Sequence, residues 1–519
     1  MALKFSYLYA NPEINPVTRK ARSIPALNPV NVYGRVFFFS WFAFMIAFWA
    51  WYTFPPLLTA TIKEDLHLTP SQVANSNIVS LCVTLLVRVV AGPLCDQFGP
   101  RKVFGGLLLT GSIPLGLAPL VNSAEGLYAS RFFIGILGGA FVPCLVWTTG
   151  FFDKNIVGTA NALAGGFGTA GGGITYFIMP AVYDSLVARG HSVGRAWRLT
   201  FLVPLFMVIV VAIALLSLCP DTPTGPWSER HNVAQENDSC SVDGAAADVP
   251  GGITDKLPSN GLKFKGHDEK KKGENETAVS TPVMDDPEAQ TIKADMLGTA
   301  TADGEVVGKP TLSQALRVAF SPQTAFQVLS YMNSFGAELA INAILSSYYF
   351  QTFPSLSQTE ATGRAAVFGF LDFATRPLGG VVSDLLYKYS GGNLWFKKGW
   401  VVLCGLLAGT LLIILGQVRP GDESVVFGLV ALVAVFLQAG NGANFALVPH
   451  VHPQANGILS GLTGAGGNLG GIIFSVIFRF MGDGTDYAKG FWVIGVIHVA
   501  VSLAMSPIPP LPRGQIGGR

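Results

Sequence analysis

Residues 88–96 read Arg88-VVA-Gly92-PLC-Asp96, and residues 376–384 read Arg376-PLG-Gly380-VVS-Asp384. Each arginine sits inside a long apolar run, and the same spacings lead on to a glycine and an aspartate. An arginine in the middle of a bilayer-spanning helix costs about 2.5–3.5 kcal/mol on insertion scales, so such a residue marks function before structure. The two lie 288 residues apart (376 − 88), at matching places in the two halves of one chain. That repeat predicts a duplicated membrane module with one cation from each copy facing a shared centre. The ligand of such a pair is an anion.

Working outward, the rest of the chain fits a membrane protein. It has 519 residues, 50% of them hydrophobic and only 13% charged, with mean hydropathy +0.45. Soluble domains carry about 25% charge. Charge-free runs cover 36–62, 103–124, 132–152, 155–183, 199–220, 399–418 and 424–478. About 20 apolar residues cross a bilayer, so the last run holds two spans. Apolar stretch and punctuation predict twelve spans near 36–60, 71–95, 103–121, 125–149, 156–181, 199–219, 322–352, 361–386, 399–417, 424–446, 455–480 and 489–508. No short apolar leader precedes them, because residues 1–35 are polar, Pro-rich and basic. Arg101 and Lys102 in the second loop, and Lys388, Lys397 and Lys398 in the eighth, put both termini in the cytoplasm. Arg189, Arg195 and Arg198 in the fifth loop argue the other way. The six cysteines have no metal spacing and read as small apolar packers.

Residues 221–315 break the pattern with a polar, charge-clustered stretch that includes Lys263-F-Lys265-GHDEKKKGENE. The predicted organisation is a cytoplasmic N-terminus over 1–35 and a six-helix half over 36–220. A disordered cytoplasmic linker over 221–315, a second six-helix half over 316–508 and a cytoplasmic tail over 509–519 complete it. On that topology the sequons Asn237-D-S and Asn275-E-T are chance matches. A second repeat supports the duplication: Gly168-T-A-Gly171-Gly172 aligns on Gly467-N-L-Gly470-Gly471. Duplicated halves around a midplane site are the plan of secondary transporters. The fold class is thus an all-α membrane protein of twelve transmembrane helices in two pseudo-symmetric six-helix halves.

Several motifs carry a resemblance. Gly92-PLC-Asp96-QFG-Pro100-Arg101-Lys102 and Arg131-FFIGILGG resemble signatures of the major facilitator superfamily. The glycine segments at 164–174 and 464–472 resemble the paired signatures of its nitrate/nitrite porter family, of the fungal high-affinity type. Tyr331-MNSFG-Ala337-Glu338 and Thr375-Arg376-Pro377-LGG resemble that family's seventh and eighth spans. The resemblance implies the major facilitator fold, nitrate import across the plasma membrane, proton symport, and Phe48 and Tyr331 lining the site. It also implies that Asp96, Arg101 and Asp384 belong to conformational-switch loops. Where the family pattern has asparagine in both glycine repeats, this chain has Asn468 in one and Thr169 in the other.

The chemistry agrees with the resemblance. Nitrate is planar and monovalent, and a guanidinium offers paired N–H donors in a planar fork. Arg88 and Arg376 are therefore the expected substrate ligands, with Asn468 and Thr169 adding donors. Gly168, Gly171, Gly172, Gly467, Gly470 and Gly471 give close helix packing beside a small ligand. Asp372 lies one turn before Arg376, so an ion pair between them is the structural alternative for that arginine. Glu338 and Asp372 are the acids well inside spans and the candidate proton carriers. Import of an anion against an inside-negative potential costs about 2.3 kcal/mol per 100 mV, so accumulation needs co-transported cations. The expected partners are nitrate, with nitrite left open, protons and membrane lipid. Nothing in the sequence calls for a cofactor, a metal, a catalytic set or a nucleic acid. A carrier of another small anion and a nitrate receptor signalling through the linker stay open as alternatives.

Overall fold

The computed structural model describes residues 8–16, 18–227, 312–418, 421–452 and 456–512, without the side chains of residues 96, 154–155, 312–315 and 456–457. Residues Met1–Arg230 and Gly308–Arg519 cluster into one compact unit. The linker reading, its two sequons, Cys240 and most of the C-terminal tail lie outside the described residues.

Six membrane-length rods precede the linker. The first is α1 (Val32–Trp51), prolonged by the short α2 (Phe54–Leu58), and a single turn, α3 (Thr61–Asp65), follows. Next come α4 (Pro70–Phe98) and α5 (Pro100–Leu117). The fourth rod is α6 (Ala124–Ile134) and α7 (Phe141–Phe151), joined by a 3-10 segment, Gly135–Ala140. The fifth is α8 (Lys154–Thr169) and α9 (Gly171–Ala188), and the sixth α10 (Val193–Thr200) and α11 (Leu202–Leu218). After the linker a short α12 (Leu312–Ala319) leads into six more rods. These are α13 (Pro322–Thr352), α14 (Gln358–Tyr389), α15 (Leu394–Val418), α16 (Glu423–Val451), α17 (Asn456–Phe480) and α18 (Tyr487–Met505).

Local chemistry sets the ends. Thr69 with Gln72 and Ser357 with Glu360 form reciprocal capping boxes at the starts of α4 and α14. Gly99, at φ +89°, makes the sharp corner between α4 and α5, and Pro100 then opens α5 without needing its missing N–H. Ten of the rods are long and apolar enough to cross a membrane. The fifth and seventh are membrane-length but less apolar; the fifth carries a glycine run, and the seventh buries Asn333, Glu338 and Asn342.

Two features add to the sequence reading. The N-terminal segment is tied to the bundle: Ala21 donates to Phe151 O and accepts from Asp153 N, both at 2.9 Å, and Arg22 lies 3.7 Å from Asp153. Arg198, whose charge argued against the assigned orientation, is a staple. It bonds Asp65 at 2.9 Å, Pro119 O at 3.1 Å and Val121 O at 3.0 Å, tying three loops at one end. Burial pushes the Asp65 carboxyl upward, but the bonds from Trp197 and Arg198 outweigh it and leave the carboxyl below its usual range.

The repeat is visible in the packing. A Cβ on Gly171 would lie 2.1 Å from Met45 O of α1, and one on Gly470 would lie 2.1 Å from Met332 O of α13. Gly168 and Gly467 are filled in the same way by the rings of Phe44 and Tyr331. Spans one and seven are therefore related by an offset of 287 (332 − 45 and 331 − 44). Tyr52 donates to Leu339 O at 3.3 Å and Thr59 to Ser346 Oγ at 3.0 Å, each pair again 287 apart. Residues that touch their own repeat mates lie on the pseudo-twofold axis.

Those bonds belong to a seam that joins the halves at one end of the bundle. Thr61 N and Oγ1 both donate to Gln358 Oε1, Thr359 donates to Asp184, Arg479 to Asn75 and Tyr176 to Asn342 O. At the other end the ion pairs stay within a half. Arg101 pairs with Asp221 at 2.7 Å, and Lys397 with Asp384 at 2.6 Å. The bundle is thus closed at the Gln358 end.

Candidate functional site

Arg88 on α4 and Arg376 on α14 are each 2% exposed and meet at the centre of the bundle. Their guanidiniums share two rings: Phe141 lies 4.8 Å from that of Arg88 and 5.9 Å from that of Arg376, and Phe335 lies 5.4 and 5.6 Å away. Phe141 comes from the first half and Phe335 from the second, so each half supplies one cation and one ring. Glycines admit them. A Cβ on Gly165 would stand 3.4 Å from Arg376 Nε, and one on Gly464 would stand 3.4 Å from the Phe141 ring.

Each guanidinium is partly satisfied. Arg88 Nε donates to Gly138 O at 3.0 Å, a carbonyl freed in the 3-10 segment of the fourth rod. Its Nη1 lies 3.4 Å from Gly464 O. With the Asn468 amide turned so that its oxygen faces the arginine, Nε and Nη1 lie 2.9 and 3.1 Å from that oxygen. Arg376 Nη2 donates to Tyr331 Oη at 2.8 Å. One nitrogen on each is left over: Arg88 Nη2 and Arg376 Nη1 are buried without a hydrogen-bond partner. A buried donor left unmade costs about 1–3 kcal/mol, more when charged, so a ligand that accepts from both recovers that cost.

The acids lie on the Arg376 side. Asp372, fully buried, has its Oδ2 3.9 Å from Arg376 Nη1, beyond hydrogen-bond range. Thr169 donates to that same oxygen, and Asp372 Oδ1 has no donor. Glu338 on α13 accepts from Asn441 Nδ2 at 2.5 Å and stands within electrostatic reach of Asp372. Two neighbouring carboxyl groups relieve their mutual repulsion when one of them holds a proton.

The structure brings Arg88, Arg376, Asn468, Tyr331, Thr169, Glu338 and Asp372 together. The roles differ in two places from the sequence reading. The hydroxyl proton of Thr169 is directed at Asp372 and at the carbonyls of Gly165 and Gly166, so it is not a donor held ready for an anion. Phe48 packs on Phe44, Trp51 and Tyr52 within α1 and fills the space at Gly172, while Phe141 and Phe335 face the guanidiniums. Phe335 is the repeat mate of Phe48 (335 − 48 = 287), an offset that the packing of spans one and seven reveals. Phe141 carries no signal in the sequence, being one aromatic among many. Gly171 and Gly470 seat their helices against main chain, and Gly471 lies against Leu339. Arg101 and Asp384 are paired within their own halves, and the Asp96 side chain lies outside the described residues. His450 sits inside α16, 3.2 Å from Lys397 Nζ. No group of three His, Cys, Asp or Glu side chains with metal-holding geometry occurs among the described residues.

Residues 40–475 match the sequence profile described as Major Facilitator Superfamily. Elsinochrome transporter 1 of Elsinoe fawcettii is 32% identical over 99% of this chain and 100% of its own length. High affinity nitrate transporter 2.5 of Arabidopsis thaliana is 30% identical over 93% of this chain and 81% of its own length. High-affinity nitrate transporter 2.3 of Oryza sativa subsp. japonica is 29% identical over 90% and 76%.

Proposed function

Because the chain belongs to the major facilitator superfamily, we propose that it is a secondary active transporter importing nitrate, and nitrite with it, by proton symport across the plasma membrane, both termini cytoplasmic. The observation that carries this reading is the pair of unpartnered nitrogens, Arg88 Nη2 and Arg376 Nη1, beside the same two phenylalanine rings. A planar anion with oxygens on all sides accepts from two opposed forks at once, and flat rings above and below it exclude water without competing for its charge. A mobile midplane site with a closed seam on one side fits alternating access between the halves.

The carboxyl pair supplies the coupling. With one proton between Glu338 and Asp372, the two arginines leave one net positive charge, which one nitrate neutralises. With that proton gone the four side chains balance by themselves and the anion loses its reason to stay. Proton and anion therefore favour each other's binding, which is the thermodynamic content of symport. A second proton on the pair makes the cycle electrically favourable against an inside-negative potential.

A second reading has its own observation. Asp372 already stands 3.9 Å from Arg376, and the full-length relative is an elsinochrome transporter, so an organic substrate that needs one free arginine rather than two fits as well. The test is labelled nitrate uptake in cells lacking their own carriers. We expect saturable uptake, and a more than tenfold weaker apparent affinity for Arg88→Lys and Arg376→Lys, about 1.4 kcal/mol each, because lysine keeps the charge and loses the fork. Uptake no greater than in empty cells, from protein present at the membrane, overturns the nitrate reading in favour of the organic one.

A further inference from the structure

A third buried arginine lies outside the central site. Arg131 on α6 is 4% exposed. Its Nε donates to Ser76 O at 3.3 Å and its Nη2 to Asn77 Oδ1 at 2.5 Å, but Nη1 is buried without a partner. Among the described residues no acid pairs with it, and the Phe54 ring lies 5.8 Å from its guanidinium. The ionisable groups within its electrostatic reach are Tyr52 and Tyr176, and phenols are neutral at physiological pH. An unpaired, unsatisfied cation in a membrane bundle is costly and calls for a ligand. Arg131 also lines a cavity of about 10 Å³ with Trp51, Tyr52, Asn77, Ser80 and Leu339. That volume holds one water and no nitrate. The wall is polar. Ser80 accepts from Trp51 Nε1 at 2.7 Å and keeps its own proton to offer.

Position gives the cavity its meaning. Arg131 precedes Gly138, whose carbonyl holds Arg88, by seven residues on the same rod, about two turns or 10 Å. Tyr52 lines the cavity beside Arg131 and lies within electrostatic reach of Arg88 as well. Its hydroxyl also closes the seam by donating to Leu339 O, another wall of the cavity. Both partners of that bond are walls of the cavity, so their separation would remove its closure on that side. We propose that Arg131 is a separate way-station for a small monovalent oxyanion, occupied when the seam opens and emptied toward Arg88 when it closes. This rests on the anion-transport reading above and extends it to the entry path.

The test uses the purified full-length protein and nitrate itself as the probe, read by calorimetric titration. Arg88→Ala together with Arg376→Ala removes both central forks, and weak saturable nitrate binding is expected to remain. Adding Arg131→Gln to that variant should abolish the residue of binding, and adding Arg131→Lys should keep it. Comparable melting profiles for the Gln and Lys variants separate ligand loss from misfolding. In cells, Arg131→Gln alone should raise the half-saturation for uptake about tenfold and leave that for efflux from nitrate-loaded cells unchanged, an asymmetry that a merely structural arginine does not produce. Binding that vanishes with the two central arginines, binding that survives the added Arg131→Gln, or equal shifts on both sides would each overturn the way-station. A wild-type protein that binds nitrate but does not move it overturns the transport reading instead, and leaves the binding arms interpretable.

Discussion

Gly171→Ala adds one methyl group at a place with no room for it. The new Cβ would lie 2.1 Å from Met45 O and 3.0 Å from both Met45 C and Trp49 N, all main-chain atoms of α1. Ordinary contact begins near 3.4 Å, so α9 must back away from α1 by about 1.3 Å (3.4 − 2.1). No rotamer relieves a clash with backbone. Overpacking costs about 1–3 kcal/mol, and an unyielding neighbour puts this case at the upper end. Alanine recovers about 0.5–1 kcal/mol as the better helix former, leaving a net loss of about 2 kcal/mol. Gly470→Ala, whose Cβ would lie 2.1 Å from Met332 O, should cost the same, because it is the same contact in the other half. Gly158→Ala and Gly461→Ala meet nothing within 4 Å and serve as controls, expected to be neutral or slightly stabilising. Thermal unfolding of detergent-solubilised protein followed by size-exclusion fluorescence measures all four. Midpoints for Gly171→Ala and Gly470→Ala equal to those of the controls would refute the claim that these glycines hold the helices at backbone contact.

Two other outcomes bear on coupling and organisation. Glu338→Gln keeps the shape at Asn441 and removes a titrating group, so nitrate exchange should persist while accumulation fails. At 100 mV inside-negative, uncoupled nitrate settles about fiftyfold below its external level, from about 2.3 kcal/mol at 1.4 per tenfold, and wild-type accumulation in this variant would count against the carboxyl pair. Shortening residues 235–300 to a flexible segment should leave nitrate flux near that of the full chain, since the repeat lies entirely in the two halves, and lost flux from protein at the membrane would give the linker a direct role.

The arginine pair was legible because a charge in a charge-free run is expensive wherever it stands, and the sequence shows that expense directly. Asn468 and the glycine repeats were legible for a related reason, since polar and very small residues stand out against apolar helices. Span seven, expected over 322–352, is Pro322–Thr352, bounded by proline after a capping serine. What sequence did not disclose depends on partners far along the chain. Phe141 and Phe335 become site residues only when α7 and α13 converge on the two cations. Thr169 changes from prospective ligand to partner of an acid because α8 packs against α14. Arg198 carried a charge that read as topology and acts as a staple between loops. The break at Gly135–Ala140 was hidden in an uninterrupted apolar run, though its glycines sit where Ser80 O and Thr84 leave no space for a side chain.

The seam at the Gln358 end also sets a limit on how avid the carrier is toward solute on that side. The pairs Tyr52–Leu339, Thr59–Ser346, Thr61–Gln358 and Asp184–Thr359 must all separate before anything enters, at about 0.5–1.5 kcal/mol net for each bond. Solute then meets a population in which only a fraction of carriers is receptive, and the observed dissociation constant is the intrinsic one divided by that fraction. A closed state favoured by only about 1.4 kcal/mol weakens apparent binding tenfold. Substitutions such as Gln358→Ala, far from either arginine, are therefore a route to tighter apparent binding from the Gln358 side at the expense of a slower return of the empty carrier.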